Sequence, residues 1–572
     1  MATMKGNVID VTCGFQGMRS YCACGASTYF IAIALSVARS PNSVENLIIG
    51  LSETEDVSTT LRSLAKRILS FTIRAFYFFL IFPMSKKLIF PHNRPSHTKI
   101  VATVGPASDS EEVLAELINA GVDVFRLNMA HGDTKPAQER LNRIRKVSAQ
   151  LGVTVGILAD LAGPKMRLGE IPDNLYQCKT DTPMTFIRGT TPATEPNTFT
   201  TTYEPLIDDV KVGDRIMLAD GTVALKVAEK HSDRIVCTVV QGGPVRSRQG
   251  INLPGTKLSI KTLQPIDIAN AQWATKAGVD FLGLSFVRCV EDITELREIL
   301  VETARENTGH WGAIPHIIAK IEKPEAVEAI DEIVQVSDGV MVARGDLGVE
   351  FDIAQIAVVQ KKIIETCRKY AKPVIVATQM LESMHHQTLP TRAEATDVAN
   401  AVLDGTDACM LSGETAVGEF PVQAVQMMHR IALEAEKLME IRQNSTERKR
   451  VKTTSVTGAV CNAAVTVAEE VDAPMILVGT RSGRTALEVS NQRCFTLCVA
   501  ASANIRTLQR MNLYWGVFPM TNVPSDSHGA LQAVVATGKE AGYLKHGDQV
   551  VYIVGITPDS NHQNVLYVHV VE

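Results

Sequence analysis

From residue 98 onward the chain repeats one pattern eight times: a short apolar, β-branched run, one or two polar residues, and a stretch of helical periodicity. The runs span 99–104, 122–127, 153–159, 279–286, 316–321, 339–343, 373–377 and 408–411. Runs without polar alternation are buried on both faces, as parallel strands covered by helices must be. The intervening stretches carry helix signals. Ile353, Ile356, Val359, Ile363 and Cys367 recur every three or four residues, and Thr391 with Glu394 makes a capping box. Eight such strands alternating with helices predict an α/β fold, a TIM (β/α)8 barrel, whose chemistry gathers at the carboxyl ends of the strands.

Read in order, those ends carry Gly105, then Arg126 and Asn128, Asp160, Ser285, Lys320 and Glu322, Arg344 and Asp346, Thr378, and Ser412 with Glu414. A single charge after a strand is an ordinary solvated loop residue. Cations, carboxylates and hydroxyls after eight consecutive strands converge on one rim and predict a polar site there.

The third strand is followed by an insertion at 170–262 with short alternating runs, punctuated by Asp220-Gly221, Gly242-Gly243 and Leu253-Pro254-Gly255. It reads as a small β-barrel domain on a loop at the chemical face, where it can act as a lid. The large barrel takes 84–169 and 263–440, with a last helix near 420–438 and a charged linker at 442–452. Residues 453–572 alternate again, with helices near 455–469 and 527–541 and strands at 475–479, 496–500, 549–555 and 565–571. They predict a separate C-terminal α/β domain. Its turn Thr480-Arg481-Ser482-Gly483-Arg484-Thr485 either offers N–H groups, hydroxyls and two guanidiniums to a phosphate, or is an ordinary glycine-containing loop.

Composition narrows the function classes. In 572 residues, 57 Lys and Arg against 62 Asp and Glu give a net charge of −5, so no whole-molecule basic field exists and no nucleic-acid partner is expected. The 11 cysteines include no Cys-x-x-Cys pair, and the closest two are Cys22 and Cys24. They read as reduced thiols rather than a disulfide framework or a zinc site. No apolar run reaches the roughly 18 residues of a spanning helix, so no stable membrane span is expected, and the cytoplasm is the expected location.

Residues 1–83 differ from the rest. They are rich in Ser, Thr and Cys and end in an apolar stretch with Phe76, Tyr77, Phe78, Phe79 and Phe82, interrupted upstream by Arg74. Three readings stand side by side: a targeting segment, which would place the protein in an organelle, a short membrane-associated extension, or an upstream start preceding Met84.

The rim motifs together resemble pyruvate kinase. They are TKIVATVGPAS at 98–108, RLNMAHG at 126–132, AKIE at 319–322, VARGDLG at 342–348, ATQMLES at 377–383 and LSGETA at 411–416. The resemblance covers 98 to about 572 and is strongest over the barrel. It implies transfer of the phosphoryl group of phosphoenolpyruvate to ADP, giving pyruvate and ATP. No G-x-x-x-x-G-K-[ST] loop is present, so metal and cationic side chains must hold the phosphates.

By the resemblance, Glu322 and Asp346 would ligate Mg²⁺ or Mn²⁺. Arg126 would grip the phosphoryl group, and Lys320 would neutralise charge on it and on the enolate. Gly345 and Asp346 backbone N–H groups, with Thr378, would hold the substrate carboxylate, Thr378 orienting a proton-relay water. Asn128, His131 and Arg167 would face the nucleotide. Where the family usually has a lysine before Gly250, this chain has Gln249, and Arg248 is the candidate replacement.

A second departure concerns the monovalent cation. Family positions that hold K⁺ through an Asn, a Ser, an Asp and a Thr, with a Glu nearby, read Asn128, Ala130, Asp160, Leu161 and Lys165 here. Lys165 would supply a fixed charge in place of the ion, so K⁺ is expected not to be required. The resemblance further implies a homotetramer, with Arg392 at a subunit contact, and a phosphorylated effector at Thr480–Thr485, either a sugar monophosphate or AMP. The loop 557–564 lacks the glycines that would close over a sugar phosphate. Two alternatives are a metal-dependent lyase acting on pyruvate enolate and a catalytically silent effector-binding relative. The nucleotide-facing set and the intact rim argue against them respectively.

Overall fold

Eight parallel strands close into a barrel: β1 Lys99–Thr103, β2 Val124–Asn128, β3 Gly156–Asp160, β4 Phe281–Leu284, β5 His316–Ile321, β6 Gly339–Ala343, β7 Val374–Ala377 and β8 Ala408–Leu411. Each pairs with its sequence neighbour, and β1 closes on β8 with Lys99 opposite Ala408. The computed structural model describes residues 96–572 except 131–133, 190–194, 308–313, 446–452, 454, 522, 525–526 and 555–563. The leader readings, His131 and most of the loop 557–564 therefore lie outside the described residues.

Five of the predicted runs are shorter in the structure, and the third and fourth change most. β3 begins at Gly156 rather than 153, and β4 ends at Leu284, so Ser285 and Phe286 belong to the loop beyond it. After β6 and the short helix Arg344–Glu350 comes the helix Ile356–Lys369, and Val359, Ile363 and Cys367 are buried on it as predicted. Ile353 instead lies in a short 3₁₀ turn and is 83% exposed, because the helix starts three residues later than the apolar spacing implies. The capping box is present, with Thr391 accepting the Glu394 N–H at the start of Arg392–Asp404. The last barrel helix, Pro421–Ser445, continues into the charged stretch at 442–452.

The insertion folds on its own core. Its six-stranded sheet contains Arg215–Leu218, Val223–Lys230 and Arg234–Gln241, and a separate pair joins Tyr176–Cys178 to Gly243–Val245. The Asp220-Gly221 turn takes positive φ at both residues, as a tight hairpin requires.

The C-terminal domain is a five-stranded sheet in the order β11-β10-β9-β12-β13, where β9 is Met475–Gly479, β10 Leu497–Ala501, β11 Val517–Met520, β12 Gln549–Val554 and β13 Val565–Val570. β13 alone runs antiparallel to its neighbour. β11 is absent from the sequence reading because Pro519 argues against a strand, and it is tolerated since β11 is an edge. The helix Ile505–Met511 is likewise additional.

This domain seals the amino-terminal mouth of the barrel. Inward residues from every barrel strand, Val101, Val124, Leu158, Phe281, Ile318, Met341, Ile375 and Ala408, share one apolar cluster with Cys461, Leu508 and Met511. Around the seam Arg493 pairs with Asp407 at 2.8 Å and lies over the Trp515 ring, while buried Lys99 donates to the Val517 carbonyl at 2.7 Å. With that end closed by protein, the open carboxyl rim is the face left for chemistry.

Candidate active site

Arg126 on β2 turns its guanidinium to Asp160, the last residue of the adjoining β3. Its Nε donates to Oδ2 at 2.8 Å and a terminal nitrogen lies 2.7 Å from the same oxygen, while another donates to Thr103 Oγ1 at 3.1 Å. Lys320 on β5 reaches the same centre from the other side. Its Nζ lies 3.4 Å from Asp160 Oδ1, 2.9 Å from Glu322 Oε1 and 2.6 Å from Ser285 Oγ. Ser285 passes its own proton to the Leu161 carbonyl at 2.7 Å, leaving its oxygen to accept from the ammonium.

The electrostatics follow from burial and charge together. Burial alone would favour neutral Asp160, but Lys320 and Arg126 outweigh it and lower the carboxyl below its ordinary range. Burial likewise opposes the Lys320 charge, and Asp160, Glu322 and Asp346 overcome it, holding the ammonium above the usual lysine value. Asp346, at the start of the helix Arg344–Glu350, is pushed up to about 7 by burial and then by Glu322. A buried carboxyl destabilised by a second carboxylate is a donor set that a divalent cation satisfies, so the residues fit a hard metal ion.

Thr378 follows β7 with φ of +68°, and Gln379 after it has φ of +52°. Two consecutive non-glycine residues in the left-handed region store strain of the kind found at functional sites. The Thr378 hydroxyl accepts the Gly345 N–H at 2.7 Å and donates to the Ala377 carbonyl at 2.6 Å. Arg344 is a strut: its guanidinium binds Asp397 at 2.6 Å and the Thr378 carbonyl at 2.9 Å. Glu414 is another, accepting N–H groups of Leu381 and Ser412 and so clasping the β7 and β8 loops together.

Beyond β2 and β3, Asn128 Oδ1 accepts the Ala130 N–H at 3.1 Å, and Lys165 Nζ donates to the Ala130 carbonyl at 3.3 Å. Partial burial, then Arg167 and Lys320, lower the Lys165 ammonium below its ordinary value against the pull of Asp267 and Asp160. Arg167 donates to the Arg248 carbonyl at 2.9 Å. The Arg248 guanidinium points to Glu170 at 2.7 Å, and Gln249 closes its own turn by accepting the Arg246 N–H at 2.7 Å. Arg248 is thus held on the lid by a carboxylate.

In the C-terminal domain Gly483 caps the helix Arg484–Asn491 with φ of +87° and donates to Thr480 Oγ1 at 3.0 Å. Arg484 folds onto Glu488 at 2.8 Å, the Ser482 hydroxyl and Arg481 are at the surface, and Thr485 is buried. The turn therefore presents backbone N–H groups and Arg481, with its second guanidinium already paired.

The sequence marks Asp160 as a carboxylate at a strand end and, through the resemblance, as a cation ligand, but not as counter-ion to both Arg126 and Lys320. The β2–β3 register sets Asn128 opposite Asp160 and brings Arg126 alongside, which spacing cannot reveal.

A closed (β/α)8 barrel with an inserted β domain, a C-terminal α/β domain and a buried Lys–carboxylate cluster at the carboxyl rim defines the class of barrel enzyme to which the chain is compared. Two family models match, "Pyruvate kinase, barrel domain" over residues 95–425 and "Pyruvate kinase, alpha/beta domain" over 458–569. The chain belongs to the pyruvate kinase family. It is 39% identical over 481 residues to pyruvate kinase of Geobacillus stearothermophilus, covering 83% of this chain and 80% of the relative. Pyruvate kinase of Staphylococcus aureus strain MRSA252 is also 39% identical, over 482 residues with the same coverage. A crystal structure of a pyruvate kinase from Cryptosporidium parvum superposes with a TM-score of 0.77 at 34% identity, covering 84% of this chain and 97% of that one. Among the described residues, no helix is long and apolar enough to cross a membrane.

Proposed function

We propose that the chain transfers the phosphoryl group of phosphoenolpyruvate to ADP, giving pyruvate and ATP in the last step of glycolysis. The observation that carries this reading is the meeting of Arg126 and Lys320 at Asp160, beside Glu322, on the rim of a barrel matched by the family. Arg126 binds two phosphoryl oxygens through its planar fork. Lys320 balances negative charge that grows on the transferring group and on the enolate oxygen as the phosphorus–oxygen bond breaks.

Glu322 and Asp346 would hold Mg²⁺ or Mn²⁺, which when bound neutralises phosphoryl and enolate oxygens. Rotation of the Thr378 hydroxyl away from Gly345 frees that N–H, with the one at Asp346, for the substrate carboxylate, and Thr378 then orients the water that protonates the enolate carbon. Asn128, His131 and Arg167 serve ADP, and Arg248 joins them by leaving Glu170 when the lid closes. Lys165 takes the role of the monovalent cation, so K⁺ is not required. Thr480, Arg481, Ser482, Gly483, Arg484 and Thr485 receive the phosphate of a sugar monophosphate or AMP. The homotetramer of the reading uses the helix that begins at Arg392.

A coupled assay for pyruvate release tests the reading. Pyruvate formed only with both phosphoenolpyruvate and ADP present supports the transferase; release without ADP, or none at all, overturns it.

A further inference from the structure

Phe286 lies two residues beyond the end of β4, yet its ring belongs to the lid. It is 7% exposed and sits in the apolar cluster of Leu218, Leu253 and Leu258 rather than in that of the barrel. Its backbone is in the left-handed region, at φ of +64°, which costs energy for a residue with a side chain. The twist aims its main chain: the Phe286 N–H donates to Glu322 Oε2 at 2.9 Å, and its carbonyl accepts the Thr262 hydroxyl at 3.3 Å. Two cations flank the ring, Lys323 Nζ at 4.6 Å and the Arg288 guanidinium at 5.7 Å from its centroid. Lys323 is buried against Glu350 at 2.5 Å, and Arg288 donates to the Leu258 and Ile260 carbonyls at 3.0 and 3.1 Å, on the segment returning from the lid.

We propose that Phe286 is a positioning residue that couples the seating of the lid to the orientation of Glu322, and through it to the affinity for the divalent cation. The proposal rests on the reading of Glu322 as a metal ligand. With Oε1 held by Lys320 and Oε2 by the Phe286 N–H, the carboxylate plane is fixed before any ion arrives. Partners that orient a ligand in this way govern how much freedom it loses on binding. The ring in the lid is what keeps the strained Phe286 backbone turned toward Glu322, so a change in lid seating moves the N–H and releases the carboxylate.

The test is Mn²⁺ binding to the metal-free full chain without substrates, read by electron paramagnetic resonance and water-proton relaxation. Phe286→Ala is expected to weaken binding by about 10- to 100-fold, the range for losing a partner that orients a ligand, and Phe286→Leu by less. Phe286→Gly relaxes the positive φ without supplying a ring and is expected to bind as weakly as the alanine variant. Parent-like Mn²⁺ affinity in a folded alanine or glycine variant overturns the proposal alone. Parent binding that is indifferent to Glu322→Gln overturns the metal reading, and the proposal with it. Should the alanine variant not fold, Phe286→Leu decides, weaker binding supporting the proposal and unchanged binding overturning it.

Discussion

Arg126 and Lys320 are held by opposite oxygens of one carboxylate, Arg126 at 2.7 Å from Asp160 Oδ2 and Lys320 at 3.4 Å from Oδ1. Two cations that would repel one another are thereby kept side by side at the carboxyl rim. Asp160 is 2% exposed, so little water screens the arrangement.

Lys320→Met removes the cation and with it one of the two partners of the Glu322 carboxylate, but leaves Glu322, Asp346 and the Phe286 N–H present. We expect Mn²⁺ binding to persist while kcat for pyruvate formation falls by at least about 10²- to 10³-fold, the scale for losing one stabilising donor. Direct binding and steady-state assays on the same preparation check this, and retained turnover would refute the assigned role.

Asp160→Asn keeps the shape and removes the shared counter-charge. Breaking a buried ion pair on one side costs about 3–5 kcal/mol, so the melting temperature should fall along with kcat. A variant matching the parent in both calorimetry and turnover contradicts the assignment of Asp160 as the keystone.

Lys165 carries the expected independence from K⁺. The parent should be fully active in a buffer whose only monovalent cation is a large organic one, and Lys165→Glu should acquire stimulation by K⁺. Parent activity that collapses in that buffer and returns with K⁺ sinks the idea.

His316 gives a pH dependence with a definite sign. Its Nε2 accepts from Arg510 at 3.1 Å, and burial, then Arg510, lower the imidazole from 6.5 to about 4; Asp338 opposes them, while Arg297 and Lys372 add to them. The unfolded chain takes up the proton at the ordinary value and the folded one resists it. This contribution is therefore complete above about 6.5 and is lost as the pH falls toward 4, by an amount on the order of 3 kcal/mol. Denaturant melts of parent and His316→Gln across that window should diverge at neutral pH and converge in acid; parallel curves would count against it.

The sequence made the barrel legible because strands buried on both faces leave unbroken apolar runs, and it made Lys320, Glu322 and Asp346 legible because they fall at strand ends. It was silent where function depends on register or backbone twist. Asp160 serves Arg126 only because β2 and β3 align as they do, and Phe286 matters through an N–H that every residue but proline possesses. Arg344 falls at a strand end among the rim cations, yet Asp397, distant in sequence, claims it. Pro519 hid an edge strand by obeying the rule that normally excludes one.

The apolar cluster shared by the barrel interior and the C-terminal domain has a consequence for how such a protein is inherited. Cys461, Leu508 and Met511 complete the packing of all eight barrel strands, so the C-terminal domain is not an accessory that recombination could exchange for another of similar size. A gene truncated before this segment would leave inward-facing Phe281 and Met341 against water. A substitution on either side of that seam therefore changes the packing that the other side must meet.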